Sequence, residues 1–241
     1  VQYAESDLDF IQRLCFEEGF HYYFKHSPDG HTIVFGDKQQ AFTPLKHPTP
    51  YVPNNGMVAA EPSIDCFKLK LKIGTNHIVR RDYDFQKASR TLEADSHFEG
   101  KERVLEDYSY PGGFKEKADG ERLSQRALER HQSSHRQAIG GSNLPRLCSG
   151  HFLTLSEHKN TAWNGRWLLT LVHHEGKQPQ VLEEQGRSGQ PAQPGEFTQG
   201  YRNTFEGIPE VVTYRPQKVY AKSRIIGSQT ARVTGPAGEE I

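Results

Sequence analysis

The chain has 241 residues, of which 34% are hydrophobic, and its 30 basic and 30 acidic residues leave no net charge. This length can bury the core of one or two domains, and the 13 Phe and 10 Tyr argue against disorder. The absence of excess positive charge excludes sequence-independent nucleic-acid binding, which requires neutralisation of phosphates.

No stretch approaches the roughly 18 apolar residues of a membrane-spanning helix, so we expect no integral membrane segment. Val1 begins the sequence without a signal peptide or an initiator Met, which predicts a piece of a longer protein. Cys15, Cys66 and Cys148 form no Cys-x-x-Cys motif, and their odd number fits synthesis in a reducing cytoplasm. Core packing is the predicted role of Cys15.

The first 36 residues predict a helix that runs directly into a hairpin. Ser6 and Asp9 form a capping-box-like start, and Gly19 is a left-handed stop. Strands are predicted over 20–24 and 31–35, with a turn between them. The apolar face of the helix is predicted to consist of Leu8, Phe10, Ile11, Leu14 and Cys15.

The middle of the chain alternates connectors with strand-like patterns. Residues 37–56 contain four prolines, which exclude regular structure. Residues 67–73 alternate apolar side chains with lysines, and residues 78–85 are the predicted partner strand. After a break at 110–113, a second helix is predicted from Asp119 to about Arg136. Gly140-Gly141 is predicted to end it.

The last third predicts strands over 147–156 and 166–174, joined by a turn that contains Asn164-Gly165. Residues 185–200 are rich in Gly, Gln and Pro and predict an exposed loop. From Tyr201 onward we predict an extended connector that leaves the domain. Two or three short helices among many strands indicate an α+β fold, mostly antiparallel β.

Histidine pairs are the candidates for a metal site. His131 and His135 are four residues apart on the predicted helix, but the Glu of a His-Glu-x-x-His motif is missing. Solvated helix histidines are therefore favoured. His173 and His174 point to opposite faces of a strand, so we expect one to be buried and the other exposed.

No catalytic signature accompanies these pairs. Gly140-Gly141-Ser142 lacks the closing glycine of a nucleophile elbow, and adjacent carboxylates such as Glu17-Glu18 rarely face one substrate. We therefore predict no catalytic, cofactor-binding or metal-binding residues, no cofactor, and no enzyme activity.

Two specific runs carry a family resemblance. Residues 3–11 with 17–24, and residues 227–241, resemble the hub segment of VgrG proteins, the trimeric spike of the type VI secretion machine. VgrG hubs are related to the tail hubs of contractile phages. Looser matches lie at 82–85, 110–112, 121–123, 147–158, 203–209 and 214–216.

The resemblance implies a fold of barrel-like hub domains of the phage-tail-hub type. Residues 1–53 would be the helix–hairpin end of the first such domain with a Pro-rich connector. Residues 54–200 would form a second hub region with a helix and a later barrel. Residues 201–241 would lead to a missing OB domain and needle.

The implied function is mechanical. The resemblance implies a homotrimeric ring that caps the Hcp tube and carries the puncturing needle with its tip protein and effector or adaptor proteins. It also implies assembly in the cytoplasm, followed by translocation with the spike. A phage tail baseplate hub is the alternative with the same mechanics. A cell-wall or carbohydrate hydrolase would instead require Asp82, Asp84 and Glu99 to converge at about 5–9.5 Å.

Interface residues are predicted from exposed aromatic character. Tyr22, Tyr23 and Phe24 place aromatic rings on both faces of a strand, and one face is predicted to meet another subunit or domain. The alternative is that one face packs on the helix at 6–18 and the other is half exposed. Trp163 is either an exposed anchor or a packed loop residue.

Overall fold

The computed structural model describes residues 2–53, 61–98, 103–178, 200–217 and 223–230. Over these ranges the chain forms two α-helices, two short 3-10 helices and twelve strands. Most strand pairs are antiparallel; β3, β4 and β8 pair in parallel with their neighbours. The predicted α+β class is confirmed.

The helices are α1 (Asp7–Glu18) and α2 (Lys117–Gln132), and the 3-10 helices are Gln39–Ala41 and Thr161–Trp163. The strands are β1 (His21–Ser27), β2 (Gly30–Gly36), β3 (Thr43–Pro44), β4 (Thr49–Pro50), β5 (Ile64–Leu71), β6 (His77–Tyr83), β7 (Thr91–His97), β8 (Glu106–Ser109), β9 (Arg136–Ser142), β10 (His151–Ser156), β11 (Gly165–Lys177) and β12 (Gly200–Pro209). They form a β1–β2 hairpin, a seven-stranded sheet in the order β3-β10-β11-β12-β9-β5 with β4 beside β10, and a three-stranded sheet in the order β7-β6-β8.

Local capping signals define α1 as predicted. The Ser6 hydroxyl accepts a hydrogen bond from the backbone N–H of Asp9 at 3.2 Å, and Gly19 ends the helix in the left-handed region with φ 69°. The predicted core packing of Cys15 is confirmed, but the rest of the predicted apolar face is wrong, because α1 buries Arg13 and leaves Leu8, Ile11 and Leu14 exposed. Arg13 can be buried because Glu5 and Glu17 bind its guanidinium at 2.8 and 3.1 Å.

The main core lies on one face of the seven-stranded sheet. Its members are apolar residues of β5, β9, β10, β11 and β12 and of the loop before β10: Ile64, Phe67, Ala138, Leu144, Leu147, Leu153, Leu155, Trp167, Leu169 and Phe205. A second cluster joins the hairpin to the other side through Tyr23, Phe42, Phe152, Leu168 and Ile208. The predicted 166–174 strand is therefore confirmed and packs on both faces, as its consecutive buried residues 167–169 require.

The prediction of an extended connector from Tyr201 is wrong for residues 200–209. These residues form β12, which pairs with β11 on one side and β9 on the other. The alternating burial of Asn203, Phe205 and Gly207 is the period-2 pattern of a half-buried strand. Pro209 comes at the end of the strand, where its missing N–H breaks no pairing inside the ladder.

Gly140 and Gly141 do not end a helix, because α2 ends at Gln132 and both glycines lie in β9. Their role is to allow close packing. A Cβ atom on Gly140 would lie 2.2 Å from Cζ of Phe205, a distance that no packed side chain adopts. The glycine pair predicts a helix stop, but Gly140 is needed here because a larger residue would clash with the ring of Phe205.

The predicted pairing of the 67–73 strand with the 78–85 strand is also wrong. β5 pairs with β9, whereas β6 pairs with β7 and β8 in the separate three-stranded sheet. Helix α2 covers that sheet through a cluster of Ile78, Ala127 and Leu128. The predicted β10–β11 hairpin is confirmed, although its connection contains a 3-10 helix and not only a tight turn.

Other predictions fall outside the described residues. These are the turn at 54–56, nearly all of the loop predicted at 185–200, and the run that follows residue 230.

His21, the first residue of β1, is buried, and its ring contacts other aromatic rings but makes no hydrogen bond within the described residues. Its ring stacks on Phe42 with centroids 4.2 Å apart and meets Tyr214 edge-on at 6.0 Å. Neither ring nitrogen has a hydrogen-bond partner among the described residues. Burial, and then repulsion from Arg215, lower the pKa of His21 from 6.5 to about 4, so folding favours the neutral ring.

Arg215 joins three separate parts of the chain. Its Nε donates to Glu129 of α2 at 2.7 Å, and its Nη1 donates to the backbone oxygens of Gly19 and Asp37, both at 2.7 Å. Only 8% of the residue is exposed. The guanidinium therefore connects the end of α1, the end of the hairpin, and α2 to the segment that follows β12.

We expect the free energy of unfolding to fall as the pH is lowered from 6.5 towards 4. The unfolded chain binds a proton at His21 in this range and the folded chain does not, so stability is complete above pH 6.5 and falls by up to about 3 kcal/mol below it. Urea unfolding at several pH values measures this slope. His21→Phe should flatten it, whereas His173→Phe, at an exposed position of β11, should leave it unchanged. An equal slope in wild type and His21→Phe would contradict the assignment.

We expect Arg215→Met to lower the free energy of unfolding by about 3–5 kcal/mol, because it leaves Glu129 partly buried and two carbonyl oxygens without a donor. Arg122→Met, which breaks ion pairs of a more exposed arginine, should cost about 1 kcal/mol or less. Chemical denaturation measures both losses. The double variant Arg215→Met/Glu129→Met should regain part of the stability that Arg215→Met loses. Equal losses in Arg215→Met and Arg122→Met would refute this role of Arg215.

Candidate functional site

An exposed apolar surface covers one side of α1 and of the β1–β2 hairpin. We call it the helix–hairpin surface; it consists of the half-buried Tyr22 and the exposed Leu8, Ile11, Leu14, Phe24, Ile33 and Phe35. Leu8 is 59% exposed and Phe35 is 50% exposed, values that are high for large apolar side chains clustered on one unit. Clusters of this kind on a soluble protein mark contact surfaces for other molecules.

Strand register brings the hairpin members of this surface together. Tyr22 lies directly opposite Phe35, and Phe24 lies opposite Ile33, so all four side chains stand on one face of the hairpin. Ring centroids of Tyr22 and Phe35 are 5.8 Å apart. Gln12 of α1 donates to the Tyr22 hydroxyl at 2.7 Å, which places the helix beside this face.

Tyr23 belongs to the opposite face and is part of the core. It is 4% exposed, packs with Phe42, and donates its hydroxyl proton to the backbone oxygen of Ala41 at 2.7 Å. The three predicted interface aromatics are therefore divided between two faces. Tyr22 and Phe24 remain candidates for an interface, and Tyr23 is buried within this chain.

Trp163 is a packed loop residue. Its ring lies 4.7 Å from the ring of His158 and 5.8 Å from that of Phe67, and its backbone oxygen accepts a hydrogen bond from Nε1 of Trp167 at 2.9 Å. Of the two alternatives that the sequence left open, the geometry fits packing better than an exposed anchor.

The candidate carboxylates of a hydrolase hold loops in place. Oδ2 of Asp82 accepts from the backbone N–H groups of Gly113 and Phe114 at 2.7 and 3.3 Å. Oδ1 of Asp84 accepts from the backbone N–H of Gln86 at 2.9 Å, closing a turn. Glu99 lies outside the described residues, so the three-residue constellation is not brought together by the part of the chain that is described.

The histidine pairs do not form metal sites either. His131 contacts Asp107 at 3.1 Å, whereas His135 follows the end of α2, so the two do not share a helix face. His173 and His174 are both exposed, which corrects the expectation that one of them is buried. Within the described ranges no three His, Cys, Asp or Glu side chains are grouped to hold a metal ion.

Sequence reasoning missed a cluster of arginines. Arg80 of β6, Arg126 and Arg130 of α2, and Arg215 line one pocket beside the end of α1. A signal for part of it exists in the sequence, because Arg122, Arg126 and Arg130 recur at intervals of four along a helix. The residues that complete the pocket come from distant parts of the chain, so spacing alone could not identify it.

No helix in the described residues is both long and apolar enough to cross a membrane.

Comparisons with known proteins give the family. A family model described as the phage tail baseplate hub (GPD) matches residues 1–180. Over its whole length the chain is 52% identical to the type VI secretion system spike protein VgrG4b and 47% identical to VgrG5, both of Pseudomonas aeruginosa. It is also 32% identical to the actin cross-linking toxin VgrG1 of Vibrio cholerae. The chain spans 30%, 31% and 22% of the lengths of these three relatives.

Solved structures show the same fold at low identity. The E. coli c3393 protein, described as a type VI secretion component similar to the bacteriophage T4 tail proteins gp27 and gp5, matches with a TM-score of 0.56 and 16% identity. That match covers 94% of this chain and 44% of the other. The 43 kDa tail protein of prophage MuSo2 from Shewanella oneidensis matches with a TM-score of 0.57 and 9% identity, covering 89% and 57%. The chain therefore belongs to the phage tail baseplate hub family, and its similarity to VgrG spike proteins confirms the resemblance indicated by its sequence motifs.

Proposed function

We propose that this chain is the hub segment of a VgrG-type spike. It forms a homotrimeric ring that caps the Hcp tube and carries a needle, a tip protein and effector or adaptor proteins. The observation that carries this proposal is the 52% identity to a type VI spike protein over the whole chain. Conversion of sheath contraction into membrane puncture requires a rigid ring and no catalytic group, so we propose a non-enzymatic role for this segment.

The helix–hairpin surface is the proposed contact between neighbouring subunits. Burying a large apolar side chain contributes about 1.5–3 kcal/mol, and this surface offers several such side chains on one side of the hairpin. The other face of the hairpin is fixed to the core by Tyr23 and Phe42, so the surface is presented on a rigid support. Tyr22 and Phe24 are the members of this interface that the sequence already indicated.

The strands of the seven-stranded sheet guide the proposed division of the chain into domains. The Pro-rich connector that ends residues 1–53 supplies β3 and β4, which pair with β10. Because residues 200–209 form β12, we place the start of the segment that leads to an OB domain and needle after residue 209 and not at 201. We further propose that the complete spike assembles in the cytoplasm and is then translocated.

We expect a complete spike protein that contains this chain to be a trimer in solution. Light scattering coupled to gel filtration should give the mass of three copies and retain it on dilution. A monomer that persists at high concentration would refute the spike proposal.

We expect Phe35→Asp to weaken trimer association at least tenfold, because each subunit would bury a carboxylate in place of a ring. The midpoint of dissociation on dilution measures this effect. Phe85→Asp is the matched control, since Phe85 is 80% exposed and lies outside the helix–hairpin surface. Equal weakening in both variants, or none in Phe35→Asp, would place the interface elsewhere.

A phage tail baseplate hub is the second candidate, favoured by the family model that matches residues 1–180. The identity of the tube protein that the trimer binds distinguishes the type VI role from the phage role. Co-sedimentation of the trimer with assembled Hcp tubes supports the type VI role, whereas binding to a phage tail-tube protein alone supports the phage role.

A further inference from the structure

The arginine-lined pocket lies between the end of α1, helix α2 and the loop at residues 112–113. Its volume is about 250 Å³. Its charged lining residues are four arginines and two glutamates: Arg80, Arg126, Arg130, Arg215, Glu17 and Glu18. We call it the arginine pocket. What it binds depends on which of these charges already have partners.

Two of the four arginines are paired with a carboxylate and with backbone oxygens. Arg215 donates to Glu129 and to two backbone oxygens. Arg126 donates to the backbone oxygen of Glu18 and, at 3.1 Å, to its carboxylate. These two arginines therefore have structural roles at the rim of the pocket.

The acidic side chains of the pocket are engaged as well. Glu17 accepts from Arg13 at 3.1 Å, and the Glu18 carboxylate binds both Arg122 and Arg126. Asp107, whose charge acts on Arg80 and Arg130, contacts His131 at 3.1 Å. No described carboxylate is thus within ion-pair distance of Arg80 or Arg130.

Arg80 and Arg130 are the two pocket arginines that form no ion pair with a described carboxylate. Nη1 of Arg80 reaches the backbone oxygen of Gly112 only at 3.4 Å, and its buried Nε has no hydrogen-bond partner among the described residues. The guanidinium of Arg130 lies 4.6 Å over the ring of Phe16 and has no hydrogen-bond acceptor in the described parts of the chain. Burial lowers the pKa of both groups, repulsion from Arg80 further lowers that of Arg130, and attraction to Asp107 offsets part of the lowering in both.

Two partly buried guanidinium groups that lie beside one pocket without an ion-pair partner are costly unless something neutralises them. A guanidinium presents its N–H groups in a planar fork that matches the oxygens of phosphate and carboxylate groups. We propose that Arg80 and Arg130 together bind a small multivalent oxyanion, with phosphoryl or carboxyl groups, in the arginine pocket. A pocket of about 250 Å³ lies just below the usual range of roughly 300–1,000 Å³ for drug-sized ligands, so the ligand is small.

This proposal does not depend on the spike role. The pocket is built within one chain by β6, α1 and α2, and none of its residues belongs to the helix–hairpin surface.

Isothermal titration calorimetry of the chain with pyrophosphate, and separately with succinate, tests the proposal. We expect saturable binding of one anion per chain at low ionic strength, weakened by added salt. Arg80→Gln and Arg130→Gln should each weaken binding at least tenfold. Arg81→Gln is the matched control, because Arg81 is the next residue on β6 and is exposed, 3.8 Å from Glu93, and it should bind as wild type does.

The stronger of the two anions identifies the ligand group as phosphoryl or carboxyl. The absence of saturable binding for both anions would overturn the proposal, as would an equal loss in Arg81→Gln and Arg130→Gln.

Thermal unfolding separates a binding role from a structural one. Without anion, Arg130→Gln should melt at or above the wild-type temperature, because it removes a desolvated charge that has no acceptor. With anion, the melting temperature of wild type should rise and that of Arg130→Gln should not. A lower melting temperature of Arg130→Gln without anion, combined with an unchanged affinity, would identify Arg130 as structural and refute the proposal. Arg80→Lys and Arg130→Lys, which keep the charge but lose the fork, should bind with intermediate affinity.

Discussion

The buried guanidinium of Arg215 determines how the parts of this hub sit together. It follows the central strand β12, yet its donors reach Gly19 at the end of α1, Asp37 after the hairpin, and Glu129 of α2. A cation removed from water is stable only while its acceptors remain in place, so the three elements are held in one arrangement. Apolar contacts such as that of Tyr23 with Phe42 stabilise the packing but do not fix the orientation of the packed elements. The directional hydrogen bonds of the Arg215 guanidinium fix that orientation.

This arrangement explains why the hairpin can present an apolar face without losing its position. One face is fixed by the core cluster and by the neutral ring of His21, and the other carries Tyr22 and Phe24 outward. Burial of His21 without hydrogen bonds has an energetic cost that only a well-packed support offsets. A well-packed support with an exposed apolar face is consistent with the proposed contact between neighbouring subunits.

The sequence predicted local structure well and long-range pairing poorly. Ser6 and Gly19 determine the ends of α1 through hydrogen bonds within a few residues, so their signal is local and was interpreted correctly. The partner of β5 is set by contacts some 70 residues away, which no short pattern records. Gly140 is a glycine because of the ring of Phe205, 65 positions later, and it therefore resembled a helix stop. The exposed face of α1 was misassigned because burial of Arg13 depends on two carboxylates and not on hydropathy.

The same reasoning explains why the sequence does not predict the arginine pocket. Helical spacing places Arg122, Arg126 and Arg130 in line, but the row alone is typical of a solvated helix face. Two further observations indicate a binding site and not a solvated face. β6 brings Arg80 to the same pocket, and the carboxylates of Glu17 and Glu18 are already bound to other arginines. A stability-driven fold would pair or expose such charges, because each unfilled buried donor raises the energy of the folded state. Two arginines without an ion-pair partner in the described chain, beside a cavity of about 250 Å³, form the arrangement expected of the proposed anion site.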